Sequence, residues 1–136
     1  MSRGLKNRNP GNIRLSGTRY RGEVVPSRDK VFKQFETMAW GYRAIFVLLH
    51  TYRVRHGCTT LRQMIARYAP PVENDTENYL RCVARWSGVD ADEPLDTCSC
   101  AMMIPVVAAV SRMENGVAAV MPDVETGWRA FRENMP

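Results

Sequence analysis

The chain has 136 residues, 45% of them hydrophobic, and a formal net charge of +5. This length predicts a single domain, residues 1–136, with enough apolar side chains to bury a core. The 19 basic residues are scattered among 14 acidic ones, which argues against a nucleic-acid-binding tail made of like charges. The excess of positive charge still suits a polyanion such as nucleic acid, an anionic membrane or the bacterial cell wall.

Neither the N-terminus nor any apolar run is typical of a membrane protein. The first residues, MSRGLKNRNP, lack the hydrophobic stretch of a signal peptide, and the longest apolar run, AIFVLL, is too short to cross a bilayer. We therefore expect synthesis in the cytoplasm without a signal peptide and no membrane insertion, and we also expect a monomer. The four cysteines are expected to be reduced thiols, and the two histidines, both far from the CSC motif, predict neither a metal site nor a cofactor.

The N-terminal third predicts a turn followed by a β-hairpin. The segment Asn9-Pro10-Gly11-Asn12 is typical of a β-turn, with proline at the second position and glycine at the third, where φ can be positive. Alternating apolar and polar side chains predict a first strand at residues 13–15 and a second at residues 20–25. The segment VFKQF, residues 31–35, is a candidate third strand.

Five helices are predicted after the hairpin, and capping residues set their bounds. They run from the N-cap Thr37 to about Arg55, from the capping box of Thr60 and Gln63 to Pro70, from the N-cap Asn74 to Gly88, from about Ile104 to Glu114, and from the N-cap Asp123 onward. Trp86 is expected to face the core, and Gly127 is expected to weaken the last helix. The order of elements predicts an α+β fold, mostly α.

Glu114 ends a nearly all-apolar helix and is followed by Asn115 and Gly116, which form a helix stop. The C-terminal end of a helix carries partial negative charge, and apolar surroundings remove water from a carboxylate, so both features favour the protonated form. A glutamic acid of this kind can donate a proton to a glycosidic oxygen. The alternative is a solvated side chain whose charge is balanced by Arg112.

The other acidic candidates lie near predicted helix starts. Glu36, Glu73 and Asp75 would be stabilised there in their charged form by the helix dipole, which makes them poor general acids. Capping or surface roles are the simpler interpretation. The tight, proline-bounded ENDT segment can alternatively line a cleft, with a carboxylate that stabilises charge or orients a water molecule.

Several sequence blocks resemble a family of phage and prophage proteins often described as virion structural proteins. The matching blocks are RGLKNRNPGNIR, YRG, FKQF, WGYRAI and YAPPVENDTENY, and the resemblance extends from about Arg3 to about Gly116. NPGNIR and APPxENDTxxY are its specific motifs. The family pattern has tryptophan where this chain has Tyr20, whose ring can still stack.

A second resemblance is to cell-wall enzymes of the lysozyme superfamily. In glucosaminidases of that group, a helix ending in the catalytic glutamate precedes blocks similar to NPGNIR, FKQF, WGYRAIFVLL and ENDTENYLRCV, which occur here in that order. The segment AAVSRMENG resembles the glutamate-bearing helix end of lytic transglycosylases, with Asn115 in place of the usual serine. This resemblance implies a circularly permuted lysozyme-like domain with Glu114 as the catalytic residue.

The same resemblance implies a saccharide cleft with the rigid N-terminal turn as one wall. Asn12 and Arg14 would contact N-acetyl groups or a lactyl or peptide carboxylate, although asparagines in turns also bond their own backbone. The complete set of expected substrate-binding residues is Asn12, Arg14, Tyr20, Tyr68, Glu73, Asn74, Asp75 and Tyr79. For Tyr68 and Tyr79 the alternative is a place at the edge of the core.

Three functional hypotheses follow. The first is a glycosidase or lytic transglycosylase that cleaves the β-1,4 links of peptidoglycan glycan strands, with Glu114 as general acid and then base. The second is a noncatalytic virion or wall-binding structural protein, and the third is a nucleic-acid-binding protein that uses the net charge. Because only one acid is convincing, the transglycosylase outcome is favoured within the first hypothesis. Either wall-directed protein would act at the cell wall or in the periplasm, in association with the virion or through a phage lysis route.

Overall fold

The computed structural model describes residues 1–133, so residues 134–136 of the predicted domain lie outside the described part. The described part contains six helices and one two-stranded antiparallel sheet. These are α1 (Arg3–Lys6), β1 (Glu23–Val24), β2 (Gln34–Phe35), α2 (Met38–His56), α3 (Leu61–Tyr68), α4 (Thr76–Ser87), α5 (Cys100–Asn115) and α6 (Met121–Glu133). The predicted α+β class, mostly α, is confirmed; the short helix α1 was not predicted.

The capping residues of α2 and α3 are those that the sequence predicts. The Thr37 side chain accepts a hydrogen bond from the Trp40 amide, and α2 ends at Gly57, whose φ of 66° is left-handed. Thr60 and Gln63 form both halves of the capping box at the start of α3. These side chains satisfy amides that the helix itself leaves without partners.

Three helix starts differ from the prediction. Asp75, not Asn74, caps α4 by accepting from the Asn78 amide, because the Asn74 side chain donates instead to the carbonyl of Pro70, at 3.3 Å. Helix α5 begins four residues before Ile104, with Ser99 as its cap, so Pro105 lies inside the helix. Helix α6 begins at Met121, which places Asp123 within its first turn.

The segment 31–35 is the centre of the small β structure. Glu23 and Val24 pair with Phe35 and Gln34, while the Leu15 amide donates to the Val31 carbonyl at 2.9 Å. The two strands predicted at 13–15 and 20–25 therefore both pair with VFKQF and not with each other.

Asp29 fixes the turn that brings this central segment into place. Its carboxylate accepts from the Val31 and Phe32 amides at 2.8 and 2.9 Å and from the Arg3 guanidinium at 2.6 and 2.8 Å. The Arg3 guanidinium, followed by these amides, holds the pKa of Asp29 well below its usual range. A charged Asp29 thus joins α1 to the residue 31–35 segment.

The buried apolar side chains form one cluster, into which α6 packs closely along α2. A Cβ atom at Gly127 would lie 2.7 Å from the Tyr42 Cβ, so the glycine permits this close approach of the two helices. Gly127 therefore has a packing role that its low helix propensity did not predict. Trp86 does not face the core: it is 37% exposed, and the Arg112 guanidinium lies 4.1 Å from its ring centroid.

Other features of the described residues bear on the remaining expectations. None of the helices within residues 1–133 has both the length and the apolar character needed to cross a membrane. The same residues hold no cluster of three or more histidine, cysteine or acidic side chains suited to a metal ion. All four cysteines are free thiols, and two of them, Cys98 and Cys100, are exposed.

Candidate functional site

Glu114 lies in the last turn of α5, half-buried, where it contacts two other parts of the chain. Its Oε1 accepts a hydrogen bond from the Asn12 side-chain amide at 2.9 Å. Its Oε2 accepts a hydrogen bond from the Tyr79 hydroxyl of α4 at 2.7 Å. The carboxylate therefore lies beside the N-terminal turn, as the sequence predicts, and is fixed from two directions.

Asn115, the next residue, ties the end of α5 to the N-terminus. Its Oδ1 accepts from the Ser2 hydroxyl at 2.7 Å, and its Nδ2 donates to the carbonyls of Pro10 and Ser111 at 2.9 and 2.8 Å. The sequence predicted Asn115 as part of the helix stop and as the counterpart of the usual serine. These contacts show that it also sets the position of Glu114 relative to the turn.

The rigidity of the turn comes mainly from Asn9, which is fully buried. Its Oδ1 accepts from the Ile13 amide at 3.0 Å, and its Nδ2 donates to the carbonyls of Ile13 and Lys33 at 3.0 and 2.9 Å. The Asn12 amide donates to the Asn9 carbonyl at 3.1 Å, which confirms the predicted β-turn. Asn9 thus joins the turn to the small β structure.

Asn12, not Gly11, adopts the left-handed conformation in this turn, with a φ of 48°. Asparagine tolerates that region better than most residues. The conformation directs Nδ2 toward Glu114, while the buried Oδ1 has no hydrogen-bond partner among the described residues. A Cβ at Gly4 would lie 2.8 Å from that oxygen, so glycine at position 4 leaves room for it.

Gly11 is required for close packing. Tyr68 donates its hydroxyl hydrogen to the Gly11 carbonyl, and the Tyr68 and Tyr79 ring centroids are 6.5 Å apart. Burial, together with the nearby negative charge of Glu114, raises the pKa of both tyrosines well above the usual value. Both hydroxyls therefore keep their protons, and Tyr79 donates to Glu114 while Tyr68 donates to the Gly11 carbonyl.

Replacement of Gly11 by alanine is expected to destabilise the protein, because the new Cβ would overlap the Tyr68 hydroxyl and lie 2.8 Å from a side-chain carbon of the fully buried Ile45. Overpacking of this kind costs about 1–3 kcal/mol, which urea denaturation can measure. Gly17→Ala is the matched control, since nothing lies within 4 Å of its added Cβ. Equal stability of the two variants would contradict the close packing described for the turn.

An open cleft of about 360 Å³ lies in front of Glu114. Its lining comes from residues 11–14, Phe32, Leu48, Tyr52, residues 67–70, Glu73, Asn74 and Glu114. Arg14 and Glu73 form a 3.1 Å ion pair at the rim, with side chains 60% and 51% exposed. Exposed pairs contribute little stability, so either side chain is free to exchange its partner for a ligand.

The expected substrate-binding residues divide into two groups. Asn12, Arg14, Tyr68, Glu73 and Asn74 line the cleft with Glu114.

The remaining three lie elsewhere. Tyr79 is 4% exposed and reaches the site only through its hydrogen bond to Glu114. Asp75 caps α4. Tyr20 borders an adjoining second depression, and its ring centroid is 5.6 Å from the buried Lys33 ammonium. The structure thus gives Asp75 a capping contact and places Tyr79 behind the carboxylate.

Leu48, Tyr52 and Arg67 also line the cleft, although they were not among the residues predicted for the site. Leu48 and Tyr52 are four positions apart and so share one face of α2, but this spacing is equally typical of a helix face packed into the core. Burial raises the pKa of Tyr52 to about 12, which keeps its hydroxyl protonated. Arg67 directly precedes Tyr68 and has no sequence pattern of its own.

Comparison with known proteins gives one informative relationship. No family model matches the sequence. The chain is 38% identical over 118 residues to Protein P5 of Pseudoalteromonas phage PM2, and the aligned part covers 85% of this chain and 72% of the relative. The shared length includes most of the fold described above. The chain therefore belongs to the family of this bacteriophage protein.

Proposed function

We propose that the protein cleaves the β-1,4 links of peptidoglycan glycan strands during the infection cycle of a phage, with Glu114 as general acid and then general base. The observation that carries this proposal is the placement of Glu114 in the open cleft, held by Asn12 and Tyr79. Fixed donors keep a catalytic carboxylate in one geometry, which is a principal source of rate enhancement. The relationship to a phage protein supports a role in phage infection.

The proposed reaction needs one carboxyl group. Glu114 donates its proton to the glycosidic oxygen as the bond from that oxygen to C1 breaks. The resulting carboxylate then removes the proton of the substrate's own 6-hydroxyl, whose oxygen forms a new bond to C1 and closes an anhydro ring. Each oxygen of Glu114 accepts one described hydrogen bond, so lone pairs remain for the substrate.

The acidic residues of the cleft favour this transglycosylase outcome over hydrolysis. Among the described residues that line the cleft, only Glu73 and Glu114 are acidic, and Glu73 is paired with Arg14. A hydrolase with two catalytic carboxylates would require the second one to act as nucleophile or base. Glu73 lies at the exposed rim of the cleft, whereas Glu114 is half-buried and fixed by two donors, so a mechanism with one carboxyl group is the simpler one.

The proposed relationship to a circularly permuted lysozyme-like domain is supported by where the chain segments meet. The hydrogen bond from Ser2 to Asn115 joins positions 113 residues apart, so the start of the chain lies against the end of the glutamate helix. In the unpermuted order that the resemblance implies, this helix end would lead into the NPGNIR turn. Here the two are adjacent in space without being adjacent in sequence.

A noncatalytic virion or wall-binding protein is the second candidate. The observation that favours it is that both oxygens of Glu114 already accept hydrogen bonds from side chains of this chain. Such a carboxylate can act simply as a link between the turn, α4 and α5. The same cleft would then bind a glycan strand without cleaving it.

The two candidates are distinguished by incubating the wild-type protein with purified peptidoglycan. The first predicts release of soluble glycan fragments that increases with time and with protein concentration. Co-sedimentation with the insoluble polymer measures binding in the same samples. Binding without any release of fragments would overturn the enzymatic proposal and support the structural one.

A further inference from the structure

A second depression of about 540 Å³ adjoins the cleft in front of Glu114. Leu48, Tyr52 and Arg67 line both depressions, which meet at these side chains and are together called the groove. The second depression is otherwise bordered by the exposed end of α2, including Arg55 and His56. A ligand extended along the groove would pass from Glu114 across Tyr52 to this end.

The charged side chains that line the second depression are all basic. Its described lining contains Arg55, Arg67 and two histidines but no aspartate or glutamate. Neither arginine forms an ion pair with a carboxylate in the described part of the chain. This contrasts with Arg14 at the other end of the groove, which is paired with Glu73.

Arg67 is held in place without being neutralised. Its guanidinium lies 5.3 Å from the Tyr52 ring centroid, and its Nη2 is 3.3 Å from Nε2 of His56. Contact with an aromatic face and a ring nitrogen orients the planar guanidinium while leaving further N–H donors available. A guanidinium oriented in this way can bind a carboxylate, which accepts two parallel hydrogen bonds.

We propose that this basic end of the groove binds the carboxylate groups of peptidoglycan stem peptides, an inference that rests on the proposed function. A glycan strand seated at Glu114 carries its stem peptides as side branches on alternate sugars. The N-acetylated sugars of an intact strand offer no negative charge to Arg55 and Arg67, whereas the stem peptides contain free carboxylates. The arginines therefore select strands that retain their peptides.

Binding is tested in the Glu114→Gln background, so that turnover does not interfere. The ligands are insoluble peptidoglycan with intact stem peptides and the same material after an amidase has removed the peptides and the lactyl carboxylates thereby exposed have been blocked by amidation. Arg55→Gln combined with Arg67→Gln is expected to weaken binding to intact peptidoglycan by about 3- to 30-fold, the effect of losing two exposed ion pairs. Binding to the stripped strands is expected to change little.

Arg85→Gln combined with Arg129→Gln is the matched control, because it removes the same charge from exposed positions that line neither part of the groove. This control is expected to bind intact peptidoglycan as the parent does. Equal losses for the groove and control pairs, or equal losses on intact and stripped strands, would overturn the proposal. Lack of fragment release by the wild type would refute the enzymatic proposal alone, since the binding comparison does not depend on turnover.

Discussion

Glu114→Gln is expected to lower the rate of glycan-fragment release from peptidoglycan by at least about 100-fold. General acid catalysis contributes about 10²–10⁴-fold, and here one group serves as both acid and base. The amide retains the size of the side chain but has no proton to transfer at neutral pH. The rate is measured as soluble fragments released from purified peptidoglycan.

The Glu114→Gln variant is expected to remain folded, because glutamine can keep both contacts. Its Oε1 can accept from Asn12, and its Nε2 can donate to the Tyr79 oxygen, since a tyrosine hydroxyl both donates and accepts. Removal of a negative charge from a helix C-terminus leaves the melting temperature equal or slightly higher.

Glu36→Gln and Glu73→Gln are the matched controls for this loss. Glu36 is exposed and lies just before α2, outside the cleft, whereas Glu73 is at the cleft rim. Neither variant is expected to show a comparable loss of rate. A nearly normal rate for Glu114→Gln together with loss of activity in Glu73→Gln would assign the general acid to Glu73.

Asn9→Ala is expected to lower the free energy of unfolding by about 2–4 kcal/mol. The substitution removes three hydrogen bonds in a fully buried place and leaves the Ile13 amide without its acceptor. Each buried polar group left without a partner costs about 1–3 kcal/mol. Urea denaturation of the wild type and the variant measures the difference.

Asn74→Ala is the control, because Asn74 is exposed and its side chain donates one long hydrogen bond, of 3.3 Å. Its effect is expected to be below about 0.5 kcal/mol, as for most surface substitutions. A loss for Asn9→Ala that is no larger than the loss for Asn74→Ala would show that the turn does not depend on this buried side chain.

Local interactions made much of this fold predictable from the sequence. The caps at Thr37 and Thr60 bond to amides within three residues, and the turn closed by Asn9 and Asn12 spans only four residues. The position of Glu114 at a helix end follows from the glycine two residues later. Such features depend on neighbouring residues, which the sequence displays directly.

Long-range contacts account for the differences. Asp29 organises the strand pairing through Arg3, which is 26 positions away, so strand alternation alone predicted the wrong partners. Trp86 fits the apolar spacing of α4, but it lies against Arg112 and not in the core. The role of Asn115 arises only where the end of α5 meets the N-terminal turn. The role of Gly11 arises only where Tyr68 packs against the same turn.

Mass spectrometry of the fragments that the wild-type protein releases from purified peptidoglycan tests the central claim most directly. We predict fragments that end in an anhydro sugar, each lighter than the hydrolysed product by the mass of one water molecule, and almost none of them from the Glu114→Gln variant. Fragments with reducing ends would contradict the transglycosylase mechanism. Absence of any fragment from the wild type, under conditions in which it binds the polymer, would contradict the enzymatic account as a whole.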